Sequence, residues 1–111
     1  MPSLDHLMTL SGALAVFEFS EKGELVDSQI ADGNNLNETA LDLLCHVCVA
    51  NNAIATMQAR GWESMTGEKG FYPVEGFSML GLDWTTVTHG QFGVVLANDV
   101  ANIEAAYAAL A

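Results

Sequence analysis

Residues 36–60, LNETALDLLCHVCVANNAIATMQAR, run without a glycine or proline and place apolar side chains at helical spacing. The spacing predicts one long helix, which at 1.5 Å per residue is roughly 37 Å from end to end. That is about the width of a small domain, so everything else in the chain has to be built around it. Asn35 followed by Glu38 resembles a capping box at its start, and Gly61 supplies a stop.

The segments on either side supply a sheet. ALAVFEF (13–19) and LVDSQI (25–30) are rich in strand formers, and SEKGE (20–24) between them offers Gly23 for a positive-φ turn, which reads as a hairpin. YPVEGFSMLGL, WTTVTHG and FGVVLAN contain three further strands, with Pro73 expected at a strand start or on an edge. Ser3 caps a brief helix through Leu4, Leu7, Met8 and Leu10 that Gly12 ends, and Asn98 with Asp99 caps a last helix with Ile103, Ala106, Tyr107 and Leu110 on one face. The order is helix, two strands, long helix, three strands, helix. An α+β (α/β) fold follows: a five-stranded antiparallel sheet with the long helix on one face and the short terminal helices on the other, in a single domain spanning 1–111.

On a helical wheel Leu43, Leu44, Val47 and Ile54 fall together and are expected to face the sheet, with Asp42, His46, Thr56 and Arg60 as a polar flank. Cys45 and Cys48 lie on the opposite shoulder of the apolar stripe, beside Leu41, Asn52 and Ala55. His46 is roughly 160° around the helix from Cys48, so the three side chains cannot close on one metal. A redox CxxC draws its low thiol pKa from a helix N-terminus, and this pair lies well inside the helix, where the N–H groups are already bonded. Two small buried side chains are the plainer reading, and an exposed i, i+4 pair with Asp42 is the plainer one for His46.

Asn51 and Gln58 sit within the apolar face, and the cysteine shoulder widens that face beyond what one sheet covers. One reading is a second copy of the same helix packed across a two-fold axis, with an amide meeting its mate; the other is local satisfaction by backbone or water. On the first reading, and with an exposed strand expected within 74–82, the expected dimer interface comprises Cys48, Asn51, Asn52, Ala55, Gln58, Gly76, Phe77, Ser78 and Met79.

Half of the residues are apolar, and fourteen acidic residues against three basic ones give a net charge of −11. Such a field repels nucleic acid and anionic lipid and favours basic partners. No continuous apolar run approaches the roughly 18 residues of a membrane span. The opening MPSLDHLMTL has neither the basic nor the long apolar region of a secretory signal. The expected compartment is the cytoplasm, where the two cysteines stay reduced. No phosphate-cradling glycine loop, G-x-S-x-G or H-E-x-x-H occurs. No catalytic residue, cofactor or metal is expected.

LMTLSGALAVFEFSEKGELVD (7–27), the long helix, and FGVVLANDVANIEAAYAAL (92–110), entered through Asn98 and Asn102, resemble in order and over almost the whole chain the roadblock/dynein-light-chain family. A bacterial polarity regulator that stimulates a small GTPase is one branch; this chain is most similar to a small bacterial subgroup with no assigned activity. The resemblance implies a profilin-like fold, a homodimer built by pairing long helices and third strands, and a role as scaffold or regulator of small GTPases or motors. It brings no catalytic residue. The chain departs from the family in Cys45, Cys48 and its long 61–75 segment.

Two functions from different classes remain. The first is a non-catalytic homodimeric scaffold or regulatory module, with a small GTPase as a candidate partner. The alternative is a small-molecule-binding or Cys-dependent redox or metal protein using Cys45 and Cys48, with His46 or His89 assisting. His89 falls in a turn, and Trp62, Phe71, Tyr72, Phe77 and Trp84 line either a pocket or the core.

Overall fold

A computed structural model describes residues 2–111. The elements follow the order α1 (Leu4–Leu7), β1 (Ala13–Phe19), β2 (Leu25–Ile30), α2 (Glu38–Thr66), β3 (Gly76–Leu80), β4 (Trp84–His89), β5 (Phe92–Ala97) and α3 (Ile103–Leu110). The five strands form one antiparallel sheet in the order β2-β1-β5-β4-β3. Both expected hairpin strands and the three later strands are present, and β2 and β3 are its edges. Pro73, which has no N–H to give a ladder, lies just ahead of edge strand β3.

Side-chain alternation divides the core in two. On one face Leu7, Val16, Val87, Val94, Leu96, Ala106 and Leu110 pack with α1 and α3. On the other, Ala15, Phe17, Phe19 and Val95 pack under Leu41, Leu44, Cys45 and Cys48 of α2. Central β5 is covered on both faces, which is why FGVVLA is continuously apolar.

The helix ends differ from the expected ones, each for a local reason. Asn37, not Asn35, caps α2 and accepts from the Ala40 N–H at 2.8 Å. Asn34 closes the turn before it by donating to the Ala31 carbonyl at 2.7 Å and accepting from the Leu36 N–H at 2.9 Å. Gly61 does not stop the helix. α2 continues to Thr66 and ends at Gly67, whose φ of 73° is left-handed and whose N–H donates to the Glu63 carbonyl at 2.9 Å. Asn102, not Asn98 or Asp99, caps α3. Asn98 is already engaged, donating to the Gly81 and Leu82 carbonyls at 2.9 and 3.0 Å and accepting from the Thr85 hydroxyl at 2.6 Å. α1 ends at Leu7, a turn before Gly12, although Ser3 caps it as expected.

The largest correction concerns which side of α2 meets the sheet. Leu43, Val47 and Ile54 are exposed, at 64%, 40% and 54%, whereas Cys45 and Cys48 are buried against the sheet. Leu41, Leu44 and Ala59 are buried on the same inner face. The supposed shoulder is the core face, and of the expected sheet-facing stripe only Leu44 is inside, while Leu43, Val47 and Ile54 are outside. At 29 residues α2 is also long and apolar enough, by length and composition, to cross a membrane, a property that the lack of a continuous apolar run conceals. Here its inner face lies on the sheet.

Candidate functional site

The outer face of α2 carries Leu43, Val47, Ala50, Ile54, Met57 and Gly61 at alternating steps of four and three residues, with Met65 one turn further. All are exposed, Met57 and Met65 most of all at 71% and 82%. Spacing of this kind makes one straight seam, here roughly 27 Å long at 1.5 Å per residue. The helix is therefore apolar on two opposite faces, and the sheet covers only one.

Asn51 and Gln58, seven residues apart, flank this seam, Asn51 half-buried and Gln58 exposed. The remaining interface expectations divide. Cys48 is inside the protomer, Asn52 turns its Oδ1 inward away from solvent, and Ala55 is half-buried between these and the seam. Cys48, at 1% exposure, cannot meet a partner while the protomer is folded. Gly76, Phe77, Ser78 and Met79 lie on β3, whose far edge pairs with no strand. Phe77 and Met79 turn toward the α2 layer and Ser78 to the opposite side.

At the C-terminal end of α2 the chain folds back on itself. The Glu63 carboxylate accepts from the N–H groups of Gly70, Phe71 and Tyr72 at 3.0, 3.2 and 3.3 Å. Arg60 donates to the Tyr72 hydroxyl at 2.9 Å and lies over its ring, and Trp62 meets Phe71 edge-on at 5.6 Å. Trp62, Phe71 and Tyr72 thus form an exposed knot at the helix end, while Phe77 and Trp84 pack toward the core under α2. The Tyr72 N–H, followed by those of Gly70 and Phe71, holds the Glu63 carboxyl below its ordinary pKa.

The chemistry-bearing residues are dispersed or quenched. Burial, reinforced by nearby Asp42, pushes the Cys45 thiol up to about 11, and burial pushes Cys48 up to about 12. Neither supplies thiolate near neutrality. Asp42 Oδ1 accepts from the Leu25 N–H at 3.0 Å and so ties α2 to the β1–β2 hairpin. His46 Nδ1 lies 4.0 Å from the Asp42 carboxylate and 2.7 Å from the Asp42 carbonyl; that short contact requires Nδ1 to be the donor. His89 is the last residue of β4, with Nε2 3.3 Å from Glu75 and its ring edge-on to Tyr107. Among the described residues no group of three or more His, Cys, Asp or Glu is placed to hold a metal ion.

The fold is shared with solved bacterial proteins. The gliding protein MglB of Thermus thermophilus superposes with a TM-score of 0.70 at 17% identity, over 96% of this chain and 82% of that one. An MglB with a tetrameric arrangement matches at 0.68 and 15%, over 96% and 84%. Myxococcus xanthus MglB matches at 0.60 and 19%, over 96% and 87%. No curated protein matches the sequence. The fold is the roadblock/profilin-like one that the family resemblance implies. A family model matches residues 3–111, and the chain belongs to that family, described as Uncharacterized conserved protein (DUF2173).

Proposed function

We propose that the protein is a non-catalytic homodimeric interaction module, working in the cytoplasm, with a small GTPase as the class of partner it regulates. The observation that carries this is the second apolar face of α2, because a monomer gains nothing by lining a whole helix face with exposed Leu, Val, Ile and Met. Pairing two such seams across a two-fold axis removes both from water and brings Asn51 or Gln58 beside its mate at the margin. The unpaired edge of β3 lets the sheet continue into the second copy. An MglB of the same fold has been solved in a tetrameric arrangement, which supports self-association as a use of this architecture. The interface so drawn omits the buried Cys48 and adds Leu43, Val47, Ile54 and Met57. The Cys-dependent alternative is disfavoured because both thiols are buried and held protonated.

Two measurements test the two halves separately. Sedimentation across a dilution series should show a dimer at micromolar concentration, and a monomer throughout would sink the dimer. Small GTPases purified from the same organism should show an altered rate of nucleotide hydrolysis or release when the protein is added. No change with any of them would remove the GTPase from the proposal and leave the dimer standing.

A further inference from the structure

A cleft of about 200 Å³ opens beneath α2 near the β4–β5 turn. Phe19, Val49 and Phe77 supply its apolar wall, and Ser20, Asn52 and Thr88 bring polar side chains to it. Asn52 is half-buried with its Oδ1 turned into the protein and shut off from solvent, so Nδ2 is the polar atom it presents to the cleft. The side-chain hydrogen bonds of this region engage Ser20, Glu75, Thr88 and His89 and leave that nitrogen without an acceptor. Ser20 Oγ accepts from the Lys22 and Glu24 N–H groups at 3.2 and 3.1 Å, which occupies its lone pairs and leaves its O–H free to donate. The Thr88 hydroxyl is committed to the Phe77 backbone, accepting from the N–H at 3.3 Å and facing the carbonyl at 3.5 Å. The wall thus offers donors, and a ligand that matches it carries an acceptor.

Charge narrows the class. Glu21 and Glu75 line the cleft and no Lys, Arg or His does, within a chain of net charge −11. An anion is repelled by that field and would give up its hydration for neutral donors alone. An ammonium has nothing to give Asn52 Nδ2, and Glu75 is largely exposed, so water screens what attraction it offers. A neutral carbonyl oxygen meets the donors without either cost, and an N–H beside it can donate to Glu75, whose side-chain partner is His89 at 3.3 Å. Size narrows it further, since an apolar cavity of about 150 Å³ holds a benzene-sized molecule.

We propose that this cleft binds a small neutral carboxamide, its apolar body held between Phe19, Val49 and Phe77, its carbonyl oxygen accepting from Asn52 Nδ2 and its N–H directed to Glu75. The site lies on the sheet side of the helix and does not depend on how the outer seam is used.

Benzamide is a suitable probe. Acetophenone keeps the acceptor without the N–H, benzylamine keeps N–H groups without the acceptor, and benzoate carries the negative charge. In ¹H–¹⁵N spectra of the labelled protein, millimolar benzamide should shift the Asn52 side-chain amide and the backbone amides of Phe77 and Gly90. Acetophenone should bind only a few-fold more weakly, because the Glu75 contact is exposed, whereas benzylamine and benzoate should bind about tenfold more weakly or not at all. Asn52→Leu should abolish the benzamide shifts at Phe77 and Gly90, with the dispersion of the other signals reporting an intact fold. The probe series needs only the wild-type protein, so it decides the matter even if Asn52→Leu fails to fold. Absence of any benzamide shift overturns the proposal, as does binding of benzylamine or benzoate as tight as that of benzamide. Wild-type benzamide binding by a folded Asn52→Leu overturns it as well.

Discussion

At Cys48 the thiol is 1% exposed and burial raises its pKa to about 12, with the Cys45 thiol raised to about 11 one turn earlier. Both values exceed the ordinary 9.0, so above pH 9 the unfolded chain releases protons that the folded chain keeps. The thiols' contribution to stability is complete below pH 9 and is lost as pH rises through about 11 and 12. Urea midpoints across an alkaline pH series should fall in that window, and replacing both cysteines by alanine should flatten the fall. That double variant should cost about 1–2 kcal/mol at neutral pH, through the small voids it leaves. Glu63 has the opposite sign. Its folded pKa is lowered by backbone N–H donors, chiefly that of Tyr72, so its hold on residues 70–72 is present above the ordinary glutamate range and is lost as pH falls through the lowered value. Hydrogen exchange of Gly70, Phe71 and Tyr72 should accelerate in Glu63→Gln, and in the wild type on acidification. The inertness of the cysteines is legible in the sequence because their depth within the helix is. The Glu63 cradle is not, because a carboxylate reaching residues seven to nine positions on leaves no local pattern.

Each helix terminus turns on a competition between candidate caps. Asn34, Asn35 and Asn37 all precede α2, and Asn98, Asp99 and Asn102 all precede α3; tertiary hydrogen bonds engage Asn34 and Asn98 elsewhere and leave Asn37 and Asn102 to cap. Gly61 is passed over because a glycine stops a helix only where the chain turns left-handed, which happens at Gly67. Nothing lies within 4 Å of a Cβ built at Gly61, so Gly61→Ala should raise the stability of the isolated protomer by about 0.5–1 kcal/mol in urea unfolding. Gly93 is the opposite case. A methyl there would overlap the ring of Phe17, which is fully buried and cannot retreat. Gly93→Ala should cost about 1–3 kcal/mol by the same measurement. Strand positions are legible because alternation and turn glycines mark them locally, and β1 and β2 coincide with the expected 13–19 and 25–30.

Across the whole molecule, a proposed dimer joins two chains of charge −11 through apolar seams. Salt screens the repulsion and leaves the apolar contact intact, so the dissociation constant should fall as ionic strength rises, contrary to an interface held by ion pairs. Ile54→Glu and Met57→Glu should drive the protein to monomer in sedimentation while changing protomer stability by only about 0.5 kcal/mol, because both side chains are exposed in the protomer. Element order, the antiparallel sheet and its layers are set by local alternation, helical period and turn residues, and the sequence by itself determines them. Which face of α2 enters the core it does not determine. The wheel favours Leu43, Val47 and Ile54 as the more hydrophobic stripe, but the sheet beneath already carries Phe17, Phe19, Phe77, Met79 and Trp84. Those large side chains, with Leu41 and Leu44 from the helix, fill the layer between helix and sheet, and the small Cys45 and Cys48 are what fits in the space between them at native packing density. Volume complementarity between segments far apart in the chain decides the orientation, and with it which residues are left outside for a partner.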